Sequence, residues 1–571
     1  MSKNYEVPVN IDEASELSEY DTLTATLLQN RNIKTKSQAE FFLNPNFDEH
    51  LHDPFLLPDM ERGVIRILEA IEKDEKVAIW SDYDADGIPG GALLHDFFKL
   101  IGFTNFENYI PDRNNEGYGL NKEGIDSLKN SGCTLLITID CGIRDIALTE
   151  HAKECGMDII ITDHHEQGEE IPKAHAVINP KRNDSKYPEK ILCGTGVIWK
   201  LIQAILSKNR FGLEEGKEKW LLDLVGIATL SDMVPLVGEN RVLSHFGLKV
   251  LKKTKRKGLT KLLSMLKIDK KNLSEDDIGF MVTPRINAAS RMGHPKDAFD
   301  LLVAESEQAA ETSALHLNNI NNERKVIVAH ITKEAKKVIK ERILNFGEKP
   351  VIVLGNPNWK PSLLGLAANS IAEEYNRPVF IWGRGGETNA NGEETLKGSC
   401  RSNGSTDLVA IMERSREVFI EFGGHKFSGG FSVSYEKIHI LEETLVGAFS
   451  DKISNSEKIK VDSEMRLSDV NLETVSKIER LAPFGVENLK PLFIFRDVIP
   501  EKINRFGKAR EHLSITFRDS SGTKKAISFF TSLDKFGDAL KEGIKTNLVA
   551  HIEKSFYNGT SEIRLRIVDL F

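Results

Sequence analysis

Short apolar runs alternate with helix-length amphipathic segments along much of the chain. From Val77 onward these runs are rich in β-branched residues and have no polar face. Such runs are typical of parallel strands that helices cover on both sides. We therefore predict an α/β domain over residues 51–304. Its predicted strands are 77–80, 135–139, 159–162 and 176–178.

The remaining segments predict four further units. Residues 1–50 are interpreted as a helical N-terminal extension, and the stretch 305–345, rich in Ala, Glu and Lys, predicts a connecting helix. Apolar runs at 351–354 and 379–382 predict a smaller α/β domain over residues 346–455. Alternating apolar and polar positions over residues 456–571 predict antiparallel strands in a small β-barrel similar to an oligonucleotide-binding fold.

Composition narrows the class of protein. With 571 residues, 40% of them hydrophobic and 28% charged, the chain is typical of globular proteins with several domains. It contains no apolar stretch long enough for a membrane span, and its first residues do not resemble a secretory signal, so we expect a cytoplasmic protein. The net charge of −9 argues against a general basic coat but permits a locally positive groove.

The five cysteines are predicted to be reduced, buried thiols. Their number is odd, and none forms a CxxC pair, which argues against a disulfide framework and a zinc–thiolate site.

Three aspartates follow the first predicted strand in the segment DYDADG, at Asp82, Asp84 and Asp86. Their spacing and the glycine resemble the start of an EF-hand calcium loop. That loop requires a glutamate at its twelfth position, where this chain has Leu93, and it follows a helix rather than a strand. Both differences argue against a calcium site here.

Further acidic and imidazole side chains follow later segments: Asp140, the run from Asp163 to His165, and Asp232. The carboxyl ends of parallel strands share one sheet edge, so these residues can converge there. Clustered carboxylates repel one another unless cations neutralise them, and oxygen ligands with imidazole suit Mn²⁺ or Mg²⁺. Two such ions can support phosphoryl-group chemistry. The chain also lacks the GxSxG and GxxxxGK[ST] motifs of serine hydrolases and P-loop enzymes.

Four motifs resemble those of the DHH phosphoesterases in order: VAIWSDYDADG at 77–87, IDCG at 139–142, DHH at 163–165 and SDMVPL at 231–236. Further segments resemble the RecJ branch of that family, including PDR at 111–113, PRINAA at 284–289 and FGGH at 422–425. The resemblance covers roughly residues 50–570. It implies a single-stranded-DNA exonuclease that works in the 5′→3′ direction and releases 5′-mononucleotides during DNA repair and recombination.

The resemblance also implies roles for individual residues. It makes Asp82, Asp84, Asp140, His164 and Asp232 the ligands of two Mn²⁺ or Mg²⁺ ions. His165 completes the catalytic set by orienting the scissile phosphate, and Asp86 is implied to lie behind the ligands. The implied substrate-binding residues are Arg113, Arg285, Arg291, Ser399, Arg401, Gly423, Gly424 and His425.

Some positions depart from the family pattern. Lys360 stands where the family commonly has histidine, and Ser290 stands where a glycine is usual. Residues 88–91 and 487–489 also differ, which leaves substrate rate and preference open. The proposed metal ligands are unaffected.

Two alternatives stay open at this point. The chain could be a DHH phosphodiesterase for short oligonucleotides or cyclic dinucleotides, although such enzymes usually lack the C-terminal β domain. It could also be a DNA-binding relative without catalytic activity, against which the retention of every ligand position argues. The expected partners are single-stranded DNA, a helicase and a single-strand-binding protein, with no membrane, and the resemblance favours a monomer.

Overall fold

Three sheets organise the protein, and they confirm the predicted fold class. The computed structural model describes residues 5–7, 16–388, 394–404, 406–449, 459–507, 510–531, 533–557 and 560–571. A parallel-sheet domain comes first, a long helix joins it to a smaller α/β domain, and a closed β-barrel follows. None of the described helices has the length and apolar character needed to cross a bilayer.

The first sheet contains five parallel strands, and the helices that cover both faces bury most of their residues except those of the half-buried edge strand Phe106–Tyr109. The strand Val77–Ser81 lies between Phe106–Tyr109 and Leu135–Ile139, so the strand order changes direction beside it. In open α/β sheets, ligands bind at such a switch point, outside the carboxyl ends of the strands. The strands run in the spatial order Phe106–Tyr109, Val77–Ser81, Leu135–Ile139, Asp158–Thr162, Ala176–Ile178.

Helices around this sheet place the loops that carry the acidic residues. The helix Gly87–Leu100 starts against the first acidic loop, where a Cβ on Gly87 would lie 2.5 Å from the backbone oxygen of Asp82. Only glycine permits this approach. The helices of this domain are Met60–Glu72, Gly87–Leu100, Lys122–Asn130, Ile146–Glu154, Gly194–Lys208, Leu222–Ser231, Gly238–Leu251, Lys257–Met265, Glu275–Asp277, Thr283–Met292 and Lys296–Leu302.

The long helix Glu307–Phe346 leads into a second, mixed sheet. Its first half packs on the parallel-sheet domain and its second half on the smaller domain, through Leu317 and Ile339 respectively. The smaller domain contains the strands Ile352–Gly355, Val379–Thr388, Glu394–Arg401, Glu421–His425 and Ser428–Ser434 and the helices Pro361–Tyr375, Leu408–Arg414 and Ile438–Ala448.

The C-terminal strands close into a barrel because Phe493–Phe506 pairs with both its neighbour in sequence and Thr546–Tyr557. The N-terminal helices Thr22–Gln29 and Lys36–Leu43 pack on the core of this barrel, and the second also contacts the parallel-sheet domain through Phe41 and Phe42. The remaining elements of this region are the strands Tyr5–Glu6, Ile459–Lys460, Ser463–Glu464, His512–Asp519, Gly522–Ser528 and Thr560–Leu570 and the helix Leu472–Glu479.

The sequence pattern missed one strand of the first sheet. Phe106–Tyr109 is an edge strand whose four residues are all half-buried, so it lacks the fully apolar character of its neighbours. The third predicted strand begins one residue earlier than expected, at Asp158. The glycine-rich segment after Phe422 forms a hairpin of Glu421–His425 with Ser428–Ser434.

Candidate active site

The carboxyl edge of the first sheet gathers the predicted acidic residues. Asp82, Asp140 and Asp163 each follow a strand directly, and their backbone N–H groups continue the hydrogen-bond ladder to Ile139, Thr162 and Ile178. Asp140 adopts a left-handed conformation, with φ of 63°, which most residues other than glycine avoid. The sheet therefore brings together residues that are up to 81 positions apart in sequence.

Asp232 reaches the same place from a different element. It caps the C-terminal end of the helix Leu222–Ser231 instead of following a strand. Its Oδ2 lies 3.6 Å from Nε2 of His164, and the same nitrogen lies 3.1 Å from Oδ1 of Asp140. One carboxylate from the sheet edge and one from a helix thus face a single buried imidazole.

Asp82, Asp84 and Asp140 form a second group, which shares Asp140 with the first. Each contributes one carboxylate oxygen to a set in which all atoms lie within 4.8 Å of one another. Burial, followed by the charges of neighbouring aspartates, raises the pKa of Asp82 and Asp140 well above the usual range. Burial and the charges of Asp86 and Asp84 do the same to the pKa of Asp232. Burial and repulsion among these carboxylates thus outweigh the attraction of the nearby cations Arg113 and Lys181, which favours the binding of an added cation.

Asp86 lies between the two groups and the helix Gly194–Lys208. Its carboxylate accepts hydrogen bonds from the N–H groups of Gly194, at 2.6 Å, and Thr195, at 2.8 Å, at the helix N-terminus. Its Oδ2 also lies 3.8 Å from Nε2 of His164. Burial and the charge of Asp84 raise the pKa of Asp86 to about 6. The family resemblance implied that Asp86 lies behind the metal ligands. In the structure Asp86 also lies close to His164, as the proposed ligands Asp140 and Asp232 do.

His165 is held by a residue that sequence reasoning had not given a role. Its Nδ1 lies 2.8 Å from Oδ1 of Asp163, and the same oxygen accepts hydrogen bonds from the backbone N–H groups of His164 and His165. The other oxygen of Asp163 accepts from Ile143. Tyr118 Oη lies 3.1 Å from Nδ1 of His165 and donates to the carbonyl of Asp140. These contacts of the imidazole ring all use Nδ1 and leave Nε2 available for another partner.

The donor set fits hard divalent cations. Oδ1 of Asp82, Oδ1 of Asp140 and Nε2 of His164 are buried and have no hydrogen-bond partner among the described residues. Unpaired polar atoms are rare in protein interiors because each costs about 1–3 kcal/mol. Carboxylate oxygens with one or two imidazoles match the preferences of Mn²⁺ and Mg²⁺. The residues present therefore suit the ions that the sequence predicted.

A cationic cleft faces the acidic cluster. Arg113, Arg291 and Arg401 lie close enough for their charges to act on one another, and Arg324 adds to them. Burial and these neighbouring guanidinium groups lower the pKa of Arg291 to about 9. The cleft therefore has an excess of cationic groups, whereas the edge of the sheet has an excess of acidic groups.

A pocket of about 950 Å³, whose lining does not include Arg291 or Arg401, adjoins this cleft on the side of the smaller domain. Arg113 lines it together with Lys360, Ser399 and Gly423. Gly424 and His425 continue the strand of Gly423 and are exposed. Lys360, which departs from the family pattern, thus contributes a positive charge to this wall.

Arg285 adjoins this cationic group, because its charge and that of Arg324 act on each other, but its guanidinium is held by other contacts. Its guanidinium group donates to Oδ1 of Asn318 on the long helix and to the carbonyl of Met281. These bonds join the helix Thr283–Met292 to the long helix, which is a packing role. Its neighbour Asn287 has a more direct connection to the site, because its Oδ1 accepts from the N–H of Ala85 in the first acidic loop.

Comparisons with known proteins agree with this architecture. The model of the DHH family, N-terminal domain, matches residues 76–229, that of the DHHA1 domain matches residues 348–451, and that of the RecJ OB domain matches residues 461–569. The three matches fall on the parallel sheet, the mixed sheet and the barrel.

Two relatives and two solved structures extend the likeness over the chain. The single-stranded-DNA-specific exonuclease RecJ of Bacillus subtilis is 32% identical over 96% of this chain and 67% of its own length, and that of Haemophilus influenzae is 30% identical over 90% and 91%. The crystal structure of Thermus thermophilus RecJ with Mn²⁺ covers all of this chain and 79% of its own, with a TM-score of 0.80 at 24% identity. A manganese-bound RecJ structure covers 69% and 96%, with a TM-score of 0.58 at 27% identity. From its sequence relatives and its three domains, this chain belongs to the RecJ family of DHH phosphoesterases.

Proposed function

We propose that this protein is a metal-dependent exonuclease that degrades single-stranded DNA from its 5′ end and releases 5′-mononucleotides in DNA repair and recombination. The observation that carries the proposal is the convergence of Asp82, Asp140, His164 and Asp232, from four separate segments, beside a cationic cleft. The names of the relatives, single-stranded-DNA-specific exonucleases, supply the substrate class.

The ligands that we propose for two Mn²⁺ or Mg²⁺ ions are Asp82, Asp84, Asp140, His164 and Asp232. When bound, such ions lower the pKa of a coordinated water and neutralise charge on phosphoryl oxygens. The protein's own contribution is to hold five donors in place before substrate arrives. Asp86 can support this arrangement because it is fixed by the helix N-terminus at Gly194 and Thr195.

We propose that His165 stabilises the scissile phosphate. Burial alone would lower its pKa, but the hydrogen bond to Asp163 and the charge of that residue outweigh burial and raise the pKa above the usual range. The imidazole therefore holds its proton more firmly than an isolated histidine. With Nδ1 occupied by Asp163, Nε2 can donate a hydrogen bond to a phosphate oxygen.

The cationic cleft is proposed to bind the 5′ end of the strand. Excess guanidinium charge favours an anion, and arginine can donate two parallel hydrogen bonds to phosphate oxygens. Arg113, Arg291 and Arg401 would hold the terminal phosphate, with Ser399 and the backbone at Gly423 as further contacts. A phosphate fixed here at a set distance from the acidic cluster would select the next phosphodiester bond for cleavage.

Partners and cellular location are also proposals. We propose that the protein acts in the cytoplasm as a monomer, together with a helicase that supplies single strands and a single-strand-binding protein. The resemblance of the chain to the RecJ family supports these proposals. Sedimentation of the purified protein tests the oligomeric state.

End-labelled substrates test the activity. The purified protein is incubated with Mn²⁺ and single-stranded DNA labelled at either end, with duplex DNA and with a dinucleotide. We expect labelled mononucleotide to appear first from the 5′ label, and Asp82→Asn to abolish release while DNA binding is retained. Cleavage confined to the dinucleotide would support a short-oligonucleotide phosphodiesterase instead. Binding without hydrolysis of any substrate would support a non-catalytic role.

A further inference from the structure

A second group of metal-ligating side chains lies outside the carboxylate cluster. Nε2 of His151 is 2.7 Å from Oδ1 of Asp126, and Sγ of Cys155 is 3.8 Å from the same oxygen and 3.7 Å from Nε2 of His151. His151 and Cys155 are four residues apart and therefore share one face of a helix, Ile146–Glu154, and the residue that caps it. Asp126 comes from the neighbouring helix Lys122–Asn130.

These distances are close to those of a tetrahedral zinc site. Ideal bond lengths of about 2.3 Å to sulfur and about 2.0–2.2 Å to nitrogen and oxygen separate the ligand atoms by about 3.4–3.6 Å. Both sulfur distances exceed this by only a few tenths of an ångström. The shorter distance between His151 and Asp126 is that of a hydrogen bond, which would open when an ion takes the place of the shared proton. Small side-chain movements are enough to form the site.

Exposure permits an ion to reach these atoms. The side chains of Asp126 and His151 are 44% and 23% exposed, and Cys155 is half-buried. The other four cysteines are buried. A fourth coordination position can therefore be filled by water, as in zinc sites with three protein ligands.

The site is separated from the carboxylate cluster by the length of a helix. The helix Ile146–Glu154 begins shortly after Asp140 and runs back along the sheet before the strand Asp158–Thr162 starts. Its nine residues span about 14 Å, so Cys155 lies toward the opposite edge of the sheet. The ligand chemistry differs too, because a thiolate favours Zn²⁺ over Mn²⁺ and Mg²⁺.

We propose that Asp126, His151 and Cys155 bind one Zn²⁺ ion that links the two helices on this face of the sheet. Binding requires the thiolate, so the Cys155 thiol proton is released to solvent, and the imidazole must coordinate as the neutral form. The ion would join two helices that flank the loops of the active site without contacting substrate. The proposal does not depend on the nuclease activity.

Cobalt absorption tests the proposal with a readout separate from catalysis. The reduced full-length protein is first saturated with Mn²⁺, which occupies the carboxylate site, and is then titrated with Co²⁺ as a probe for Zn²⁺. We expect a thiolate-to-cobalt charge-transfer band that saturates at one ion per chain and that Zn²⁺ abolishes by displacement. In Cys155→Ser the band should be lost, and in Asp126→Asn the affinity should fall at least ten-fold.

A matched variant and a chemical measurement guard against folding artefacts. Cys133 is a thiol on the same face of the sheet that also lies near a carboxylate, Glu107, so Cys133→Ser should leave the cobalt band unchanged. Zn²⁺ should also slow the reaction of Cys155 with a thiol reagent in the unaltered protein. A band that persists in Cys155→Ser, no thiolate band at all, or thiol reactivity that Zn²⁺ does not change would each overturn the proposal.

Discussion

Asp163 is expected to act on catalysis through His165, and Asp163→Asn tests that effect. The carboxylate accepts four hydrogen bonds, one of them from the imidazole at 2.8 Å. A hydrogen bond between charged groups contributes about 1.5–3 kcal/mol, and about 1.4 kcal/mol corresponds to a tenfold change in rate. We therefore expect kcat to fall about 10- to 150-fold with little change in KM.

The pH profile provides a second measure of the same change. Asp163 raises the pKa of His165, so loss of its charge lowers that pKa while burial continues to act in the same direction. Activity that needs protonated His165 is lost as pH rises through the pKa of this group. The alkaline limb of the kcat profile should therefore move to lower pH in Asp163→Asn.

A double-mutant cycle decides whether the effect passes through the imidazole. Single-turnover rates are compared for Asp163→Asn, His165→Ala and the double variant, with thermal melting to confirm folding. If Asp163 acts through His165, adding Asp163→Asn to His165→Ala slows the reaction no further. An equal slowing in both backgrounds would refute the reasoning. Asp145→Asn is the matched control, since this half-buried carboxylate accepts from Leu120 and has no bond to His165 among the described contacts.

Three further predictions follow from buried charges. Lys200 and Glu239 form a fully buried ion pair, so Glu239→Gln should lower the free energy of unfolding in urea by about 3–5 kcal/mol. Arg291→Lys should raise KM for 5′-phosphorylated DNA more than for DNA with a 5′-hydroxyl, measured by steady-state degradation. Because the folded protein raises the pKa of Asp86 to about 6, it binds this proton more tightly than the unfolded chain does. The metal-free protein should therefore lose stability as pH rises from about 4 to about 6, and Asp86→Asn should flatten that loss in thermal melts.

The sequence predicted those parts of the fold that depend on local pattern. Strands such as Leu135–Ile139 are apolar on both faces and could be placed to within a residue. The half-buried edge strand Phe106–Tyr109 was not predicted because it has two adjacent polar residues, Glu107 and Asn108, and therefore shows neither an apolar run nor an alternating pattern. Edge strands make fewer packing contacts, so their composition is less constrained.

The sequence motifs predicted the acidic part of the candidate site. They did not predict the contacts that depend on tertiary packing. The convergence of Asp82 and Asp140 follows from the rule that parallel strands end at one edge. The partner of Arg285, Asn318, lies 33 residues away on another helix, and no local pattern indicates it. The group around Cys155 was missed for a related reason, because a search for CxxC pairs does not detect a thiol that meets histidine and aspartate across two helices.

The separation of a carboxylate cluster from a cationic cleft explains how a protein with net charge −9 can act on a polyanion. Carboxylates lie at the edge of the first sheet, while cations of both domains face them across the cleft. Arg291 fixes the spacing between them: its guanidinium donates to the carbonyl of Ser362, and its own carbonyl accepts from the Ser362 hydroxyl. This reciprocal pair ties the helix Thr283–Met292 to the first turn of Pro361–Tyr375. Arg291 therefore binds the smaller domain and is also one of the residues proposed to bind phosphate. For this reason the fold, and not the substrate, sets the distance from the cationic cleft to the acidic cluster.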